Sequence, residues 1–175
     1  MGTDGTLYIT GHTFSTDFQT AYGSTSAIQS PGSDLFVMRL SGDGAEIAAS
    51  AFFGGSQNDY PVFLALDNAG NLLFTGYTTS PDYPLTAGAL RTQLSSTQDA
   101  SFFTVLDPNL NLLFSTFLTL GNGSDFFTGA LPIPDGRVWL AATAGSTNLP
   151  VTPNAVSAQP GGPANAYVML LDWQH

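Results

Sequence analysis

Short apolar runs alternate with clusters of Gly, Asn, Asp and Pro along the whole chain. Val, Ile, Leu, Phe, Tyr and Thr fill the runs, which are five to eight residues long. That length and that mix of β-branched and aromatic residues predict strands. The runs also recur. DGTLYITGHT from Asp4, AGNLLFTGYT from Ala69 and DGRVWLAATA from Asp135 superpose, with Gly5, Gly70 and Gly136 spaced 65 and 66 residues apart. DLFVMRL from Asp34, DASFFTVL from Asp99 (with one extra residue) and NAYVMLL from Asn165 follow at the same interval. Two further blocks occur twice: GDGAEIAASAFFGG from Gly42 with PNLNLLFSTFLTLG from Pro108, and SQNDYPVFLALD from Ser56 with NGSDFFTGALPI from Asn122. Four blocks in one order and at one period establish an internal repeat.

Within one period the blocks read as four antiparallel strands, A to D. The stretch Tyr60 to Leu66 is almost continuously apolar, the pattern of a strand covered on both faces. It turns through Asp67-Asn68-Ala69-Gly70 into Leu72 to Thr75, a hairpin with glycine where positive φ is needed. Phe102 to Leu106 turns through Asp107-Pro108-Asn109 into Leu112 to Leu118 as a second hairpin. A loop of about 25 residues joins B to C in each copy. It carries Asp17-Phe18, Asp82-Tyr83-Pro84 and Asn148-Leu149-Pro150, followed by small residues around Ala27, Ala89 and Ala155. A loop this long that keeps its anchor predicts an ordered flap packed by Phe18, Tyr83 or Leu149. It leaves room for a short helical turn around Leu90 to Leu94.

One four-stranded sheet cannot bury both of its apolar faces alone. Stacking the copies face to face solves that. The predicted fold is all-β: a β-propeller, or a partial propeller arc, of four-stranded antiparallel blades with a repeat of about 65 residues. The single repeat domain, residues 1–175, divides into blades at 1–55 (strands B, C and D), 56–121 (A to D) and 122–175 (A, B and C). Terminal repeats need cover. With A absent from the first blade and D from the third, the expected partners are the remainder of a longer propeller or other copies of the chain. The N-terminus shows no signal peptide, so export would rest on a segment upstream.

The unit resembles the SBBP-type bacterial β-propeller repeat. The resemblance is carried by Asp67, Gly70 and Asn71, Thr75-Gly76, Tyr83-Pro84, Asp34 with Phe36-Val37 and Leu40, and Gly54-Gly55. It spans essentially the whole chain. The third copy departs from it, with Ala141-Ala142 in place of Thr-Gly and Asn165 in place of Asp. The resemblance implies a propeller fold and an extracellular or cell-surface setting, and it implies no activity.

Composition then excludes several function classes. Thirteen acidic residues face three arginines, Arg39, Arg91 and Arg137, giving a formal net charge of -10. Nucleic-acid binding needs clustered cations, and anionic membranes attract basic patches, so neither partner is expected. No apolar run reaches the roughly 18 residues of a spanning helix, so no membrane insertion is expected. Cysteine is absent, which removes disulfides and thiolate metal sites. There is no G-x-S-x-G and no H-E-x-x-H, and Gly42-Asp43-Gly44 fails as a dinucleotide fingerprint. Zinc usually takes three or four protein ligands, more than His12 and His175 supply. No catalytic residue and no cofactor is predicted, with Ca2+ at the repeated aspartates as the alternative.

The candidate ligand-binding residues are Asp59, Tyr60, Asp125, Phe126, Phe18 and Tyr83. Asp59 and Asp125 precede strand A in two copies, beside Tyr60 and Phe126. The first strand of a propeller blade lines the central channel, so these four are expected near its mouth. Read functionally, they form a carboxylate ring for a cation or a polar ligand. Read structurally, each Asp accepts hydrogen bonds from backbone N–H groups of its turn, and that reading is favoured. Phe18 and Tyr83 pose the same choice, stacking on sugars or anchoring flaps, and anchoring is favoured. The leading expectation is a non-enzymatic structural or interaction module that presents flaps and channel mouths to protein or polysaccharide. A carbohydrate-binding, lectin-like propeller is second, and a glycan-active enzyme third.

Overall fold

The computed structural model describes residues 2, 5–15, 32–94, 99–118, 121, 123–157, 159 and 161–174. Among them ten strands form three antiparallel sheets, and no helix is present. The first sheet is β1 (Leu7–Thr13), β2 (Asp34–Leu40) and β3 (Ile47–Phe53), in that order. The second is β4 (Asp59–Leu66), β5 (Leu72–Thr78), β6 (Ala100–Leu106) and β7 (Leu112–Phe117). The third contains β8 (Asp125–Pro132), β9 (Val138–Ala144) and β10 (Asn165–Leu171), with β9 central. The all-β class holds, and the strands coincide with the repeated blocks of sequence.

Local chemistry fixes the hairpins. Asp67 Oδ1 accepts hydrogen bonds from the backbone N–H groups of Ala69 and Asn71 at 2.9 and 2.8 Å. Asp107 Oδ1 accepts from Asn109 and Asn111 in the same way, both at 2.8 Å. The Asn71 and Asn111 side chains each donate to the second oxygen of their aspartate at 2.8 Å. Gly70 adopts φ 83° in its turn at no steric cost, whereas Leu110 adopts φ 66° at the matching place. The Leu110 side chain is 3% exposed, so its burial offsets the left-handed backbone.

Two apolar cores separate the three sheets. Leu35, Val37, Ala51 and Phe53 of the first sheet meet Leu72, Phe74, Phe102 and Phe117 of the second. On its other face, Leu73, Phe103, Val105 and Phe114 meet Phe127, Ala130, Val138 and Leu140 of the third. Every residue of β6 is therefore buried. In β9 buried and exposed residues alternate, as they do when one face meets water. Gly76 of β5 explains the Thr-Gly signature, because a Cβ there would lie 2.5 Å from the Phe102 ring and 2.1 Å from the Tyr60 carbonyl oxygen. The sheets approach most closely along their early strands: β4 lies beside β1 and β8, and β8 also runs near β5. Among the described residues β3 and β7 make no comparable approach to a neighbouring sheet.

Three details differ from expectation. Strand β4 is a half-buried edge strand rather than one covered on both faces, and Pro61, which has no N–H to donate, suits that edge. No helical turn forms at Leu90 to Leu94. There the Arg91 N–H donates to Thr116 Oγ1 at 3.1 Å and its carbonyl accepts from the Phe117 N–H at 3.3 Å. The flap thus runs along the free edge of β7, and this pairing overrides local helix formation. Finally, Asp34 and Asp99 are not equivalent: Asp34 is buried within β2, whereas Asp99 is exposed before β6 and Ala100 takes the matching place.

Candidate functional site

Strand β4 opens with Asp59, which is 0% exposed. Its Oδ2 accepts the Gly55 N–H at 2.8 Å and the Ser80 hydroxyl at 3.0 Å. Strand β8 opens with Asp125, 4% exposed, whose Oδ1 accepts the Ser146 N–H at 3.1 Å and whose Oδ2 accepts the Ser146 hydroxyl at 2.7 Å. Ser80 and Ser146 are 66 residues apart, as are Asp59 and Asp125. Glycine makes room for both contacts. A Cβ on Gly55 would lie 2.5 Å from the Ser80 Cβ, and one on Gly121 would lie 2.3 Å from the Ser146 Cβ. Each aspartate therefore ties the start of a sheet to the start of its flap. Gly55 follows β3, so the first latch also joins two sheets.

Burial pushes the Asp59 carboxyl above the ordinary aspartate value, against the polar groups of Thr78, Gly55 and Ser80, and the Asp82 charge pushes it further up. Exposed Asp82 behaves oppositely. Its Oδ1 accepts the Ser56 N–H at 2.7 Å and the Ser56 hydroxyl at 2.9 Å, and the backbone bond holds its carboxyl below the ordinary value. Among the described residues no group of three or more His, Asp or Glu side chains is arranged to hold a metal ion.

The aromatic residues divide into two roles. Tyr83 is 3% exposed and stacks on Phe102 with ring centroids 4.5 Å apart. Its hydroxyl lies 3.2 Å from Thr104 Oγ1, and burial raises its pKa well above the ordinary tyrosine value. It anchors the flap. Tyr60 is half-buried beside its cross-strand partner Tyr77, centroids 4.9 Å apart, and meets His12 edge-on at 4.7 Å. His12 in turn meets Phe14 at 6.3 Å, and Phe14 is 67% exposed. These four rings make an aromatic row across the first and second sheets. Phe126 is exposed opposite Thr143 on the third. Phe18 lies outside the described residues, as do Asp17 and Ala27.

Sequence reasoning named Tyr60 but missed His12, Phe14 and Tyr77. A signal was present: His12 and Tyr77 follow Gly11 and Gly76 at equivalent places in two copies. It also missed Ser80 and Ser146, which recur at the same spacing as their aspartates. A third feature is a cleft of about 180 Å³ between the third sheet's flap and β10, lined by Leu149, Val151, Ser157, Asn165 and Tyr167 among others. The Tyr167 hydroxyl donates to the Pro150 carbonyl at 2.8 Å, and Asn165 Oδ1 accepts the Gly161 N–H at 2.8 Å, so both ends of the flap are held. No protein-family model matches the chain, and no curated protein matches it.

Proposed function

We propose that this chain is a non-enzymatic structural or interaction module, an arc of a secreted or cell-surface β-propeller of the SBBP type. The observation that carries this reading is that three antiparallel sheets stack face to face through two apolar cores, with their closest backbone approaches along β4, β1 and β8. Closer approach along one side is what the wedge-like stacking of propeller blades requires, and it supports this reading. The latches support a structural role for the recurring aspartates, because Asp59 and Asp125 are buried and direct their oxygens at Gly55, Ser80 and Ser146. Fitting partners are the rest of a longer propeller, further copies of this chain, another protein or a polysaccharide. Small-angle scattering combined with sedimentation tests the reading. A curved arc or closed ring is expected, and a straight rod or a string of separate beads overturns it.

A second reading is favoured by the aromatic row. Half-exposed rings offer apolar faces with polar edges, the surface that sugar C–H faces stack upon. Carbohydrate binding at Tyr60 and Tyr77 predicts a signal on a glycan array that disappears in both Tyr60→Ala and Tyr77→Ala. A blank array with folded protein removes this reading and leaves the first.

A further inference from the structure

Two buried acids from neighbouring sheets converge on one glycine. A Cβ on Gly54 would lie 2.6 Å from Asp59 Oδ2 and 2.9 Å from Asp34 Oδ1, so both oxygens lie within 2.9 Å of a single point. Asp34 opens β2 and is 9% exposed, and Asp59 opens β4 and is 0% exposed. The backbone holds the two strand starts together. The Asp59 N–H donates to the Ser33 carbonyl at 2.8 Å, and the Ser33 N–H donates to Asn58 Oδ1 at 2.9 Å. Asp59 Oδ1 is buried and accepts no hydrogen bond of regular geometry. Between the second and third sheets the junction is built differently. Ala100, opposite Thr78, takes the place of Asp34, opposite Thr13, and Ser101 Oγ donates to the Asp125 carbonyl at 2.6 Å.

The charged and titratable groups near the pair come from several elements. The flap brings Asp82, whose charge pushes the Asp59 carboxyl up, and Tyr83, whose hydroxyl burial keeps protonated. Strand β1 brings His12, which meets Tyr60 edge-on beside Asp59, and β8 brings Asp125, held by Ser146. The arginines are placed elsewhere. Arg39 donates to the Pro108 carbonyl, Arg137 pairs with Asp135, and Arg91 lies in the flap along β7, three strands from β4. Two carboxylates this close and this buried ionise together only at a cost, because burial and like charge act in the same direction. One shared proton relieves both.

We propose that Asp34 and Asp59 form a proton-sharing carboxyl pair, a pH-sensitive clamp between the first and second sheets. With one proton the pair holds the starts of β2 and β4 together. When that proton leaves as pH rises, two buried negative charges face each other across the junction and loosen it. The stabilisation is therefore present in acid and lost with rising pH, the sign for carboxyls that ionise less readily in the folded state than in the unfolded chain.

The test is a carboxyl-carbon NMR titration of the full chain as wild type, Asp34→Asn, Asp59→Asn and Asp82→Asn. Interacting groups titrate in steps that belong to the pair rather than to either residue. In wild type the Asp34 and Asp59 carbons should both report the same two steps. Asp34→Asn should leave Asp59 with one step and a lowered midpoint, and Asp59→Asn should do the same to Asp34. Asp82→Asn should move Asp59 less than Asp34→Asn does. The Asp59 amide, corrected for its intrinsic exchange rate, should lose protection as pH rises through the second step. Independent single-step curves, an Asp59 midpoint unmoved by Asp34→Asn, or a larger response to Asp82→Asn overturns the proposal. If a variant does not fold, the wild type alone decides: single independent steps, or amide protection that ignores the second step, overturns it.

Discussion

Strands β6 and β10 are each the third strand in chain order of their sheets, yet all of β6 is buried while Leu171 is the one buried residue of β10. Their sequences do not account for this, since ASFFTVL and NAYVMLL are similarly apolar. Their surroundings do. Strand β6 has β5 and β7 on its edges and a core on each face, whereas β10 has β9 on one edge and a core on one face. Burial in a stack of sheets belongs to position in the stack, and each sheet depends on its neighbours for cover.

The largest effect expected from this difference is at the paired aromatics. Phe102→Ala removes a ring shared by β5, β7 and the flap and should cost about 3–5 kcal/mol in urea unfolding. Tyr167→Ala, at the matching half-exposed place, should cost about 1 kcal/mol or less. Equal costs would break the comparison. Next comes the latch. Asp59→Ala leaves the buried Gly55 N–H and Ser80 hydroxyl without their acceptor, worth about 1–3 kcal/mol by thermal unfolding. Gly76→Ala presses a methyl group toward the Tyr60 carbonyl and the Phe102 ring and belongs in a similar range, about 1–3 kcal/mol. Alanine already stands at the third sheet's equivalent, Ala142, where the facing aromatic is half-exposed.

The smallest effect is in pH dependence, and its sign differs between two aspartates. Folded Asp59 holds its proton to higher pH than the unfolded chain, whose reference value is 3.8. Between that value and the raised folded one the folded state binds more protons, so stability increases as pH falls through the window. The lowered carboxyl of Asp82 contributes stability above 3.8 that is lost as pH falls through its folded value. Asp59→Asn should abolish the first slope and keep the second, as read from urea midpoints across the acid range.

The strands were legible because β-branched and aromatic runs end at Asn, Asp and Gly, whose turn preferences are local. The latch was only half legible. Asp59 recurs visibly, but Ser80 reaches it from 21 residues away through the β4–β5 pairing, whose register sets Thr78 opposite Asp59. Leu110 gave no sign of a left-handed backbone, since its side chain is bought into that geometry by a core assembled from distant strands. The region from Leu90 to Leu94 was misread for a related reason: its hydrogen bonds go to β7 rather than to its own neighbours. The cleft beside β10 had no separate signal in sequence, because it forms only where the flap from Ser146 to Gly161 folds against β10.

The central claim is that stacking, and not strand sequence, decides which parts of this protein are held firmly. Amide hydrogen exchange resolved by residue measures that directly. Amides of β6 should exchange only through global unfolding, while those of β10 should exchange orders of magnitude faster through local opening. Comparable protection along the two strands would contradict the account.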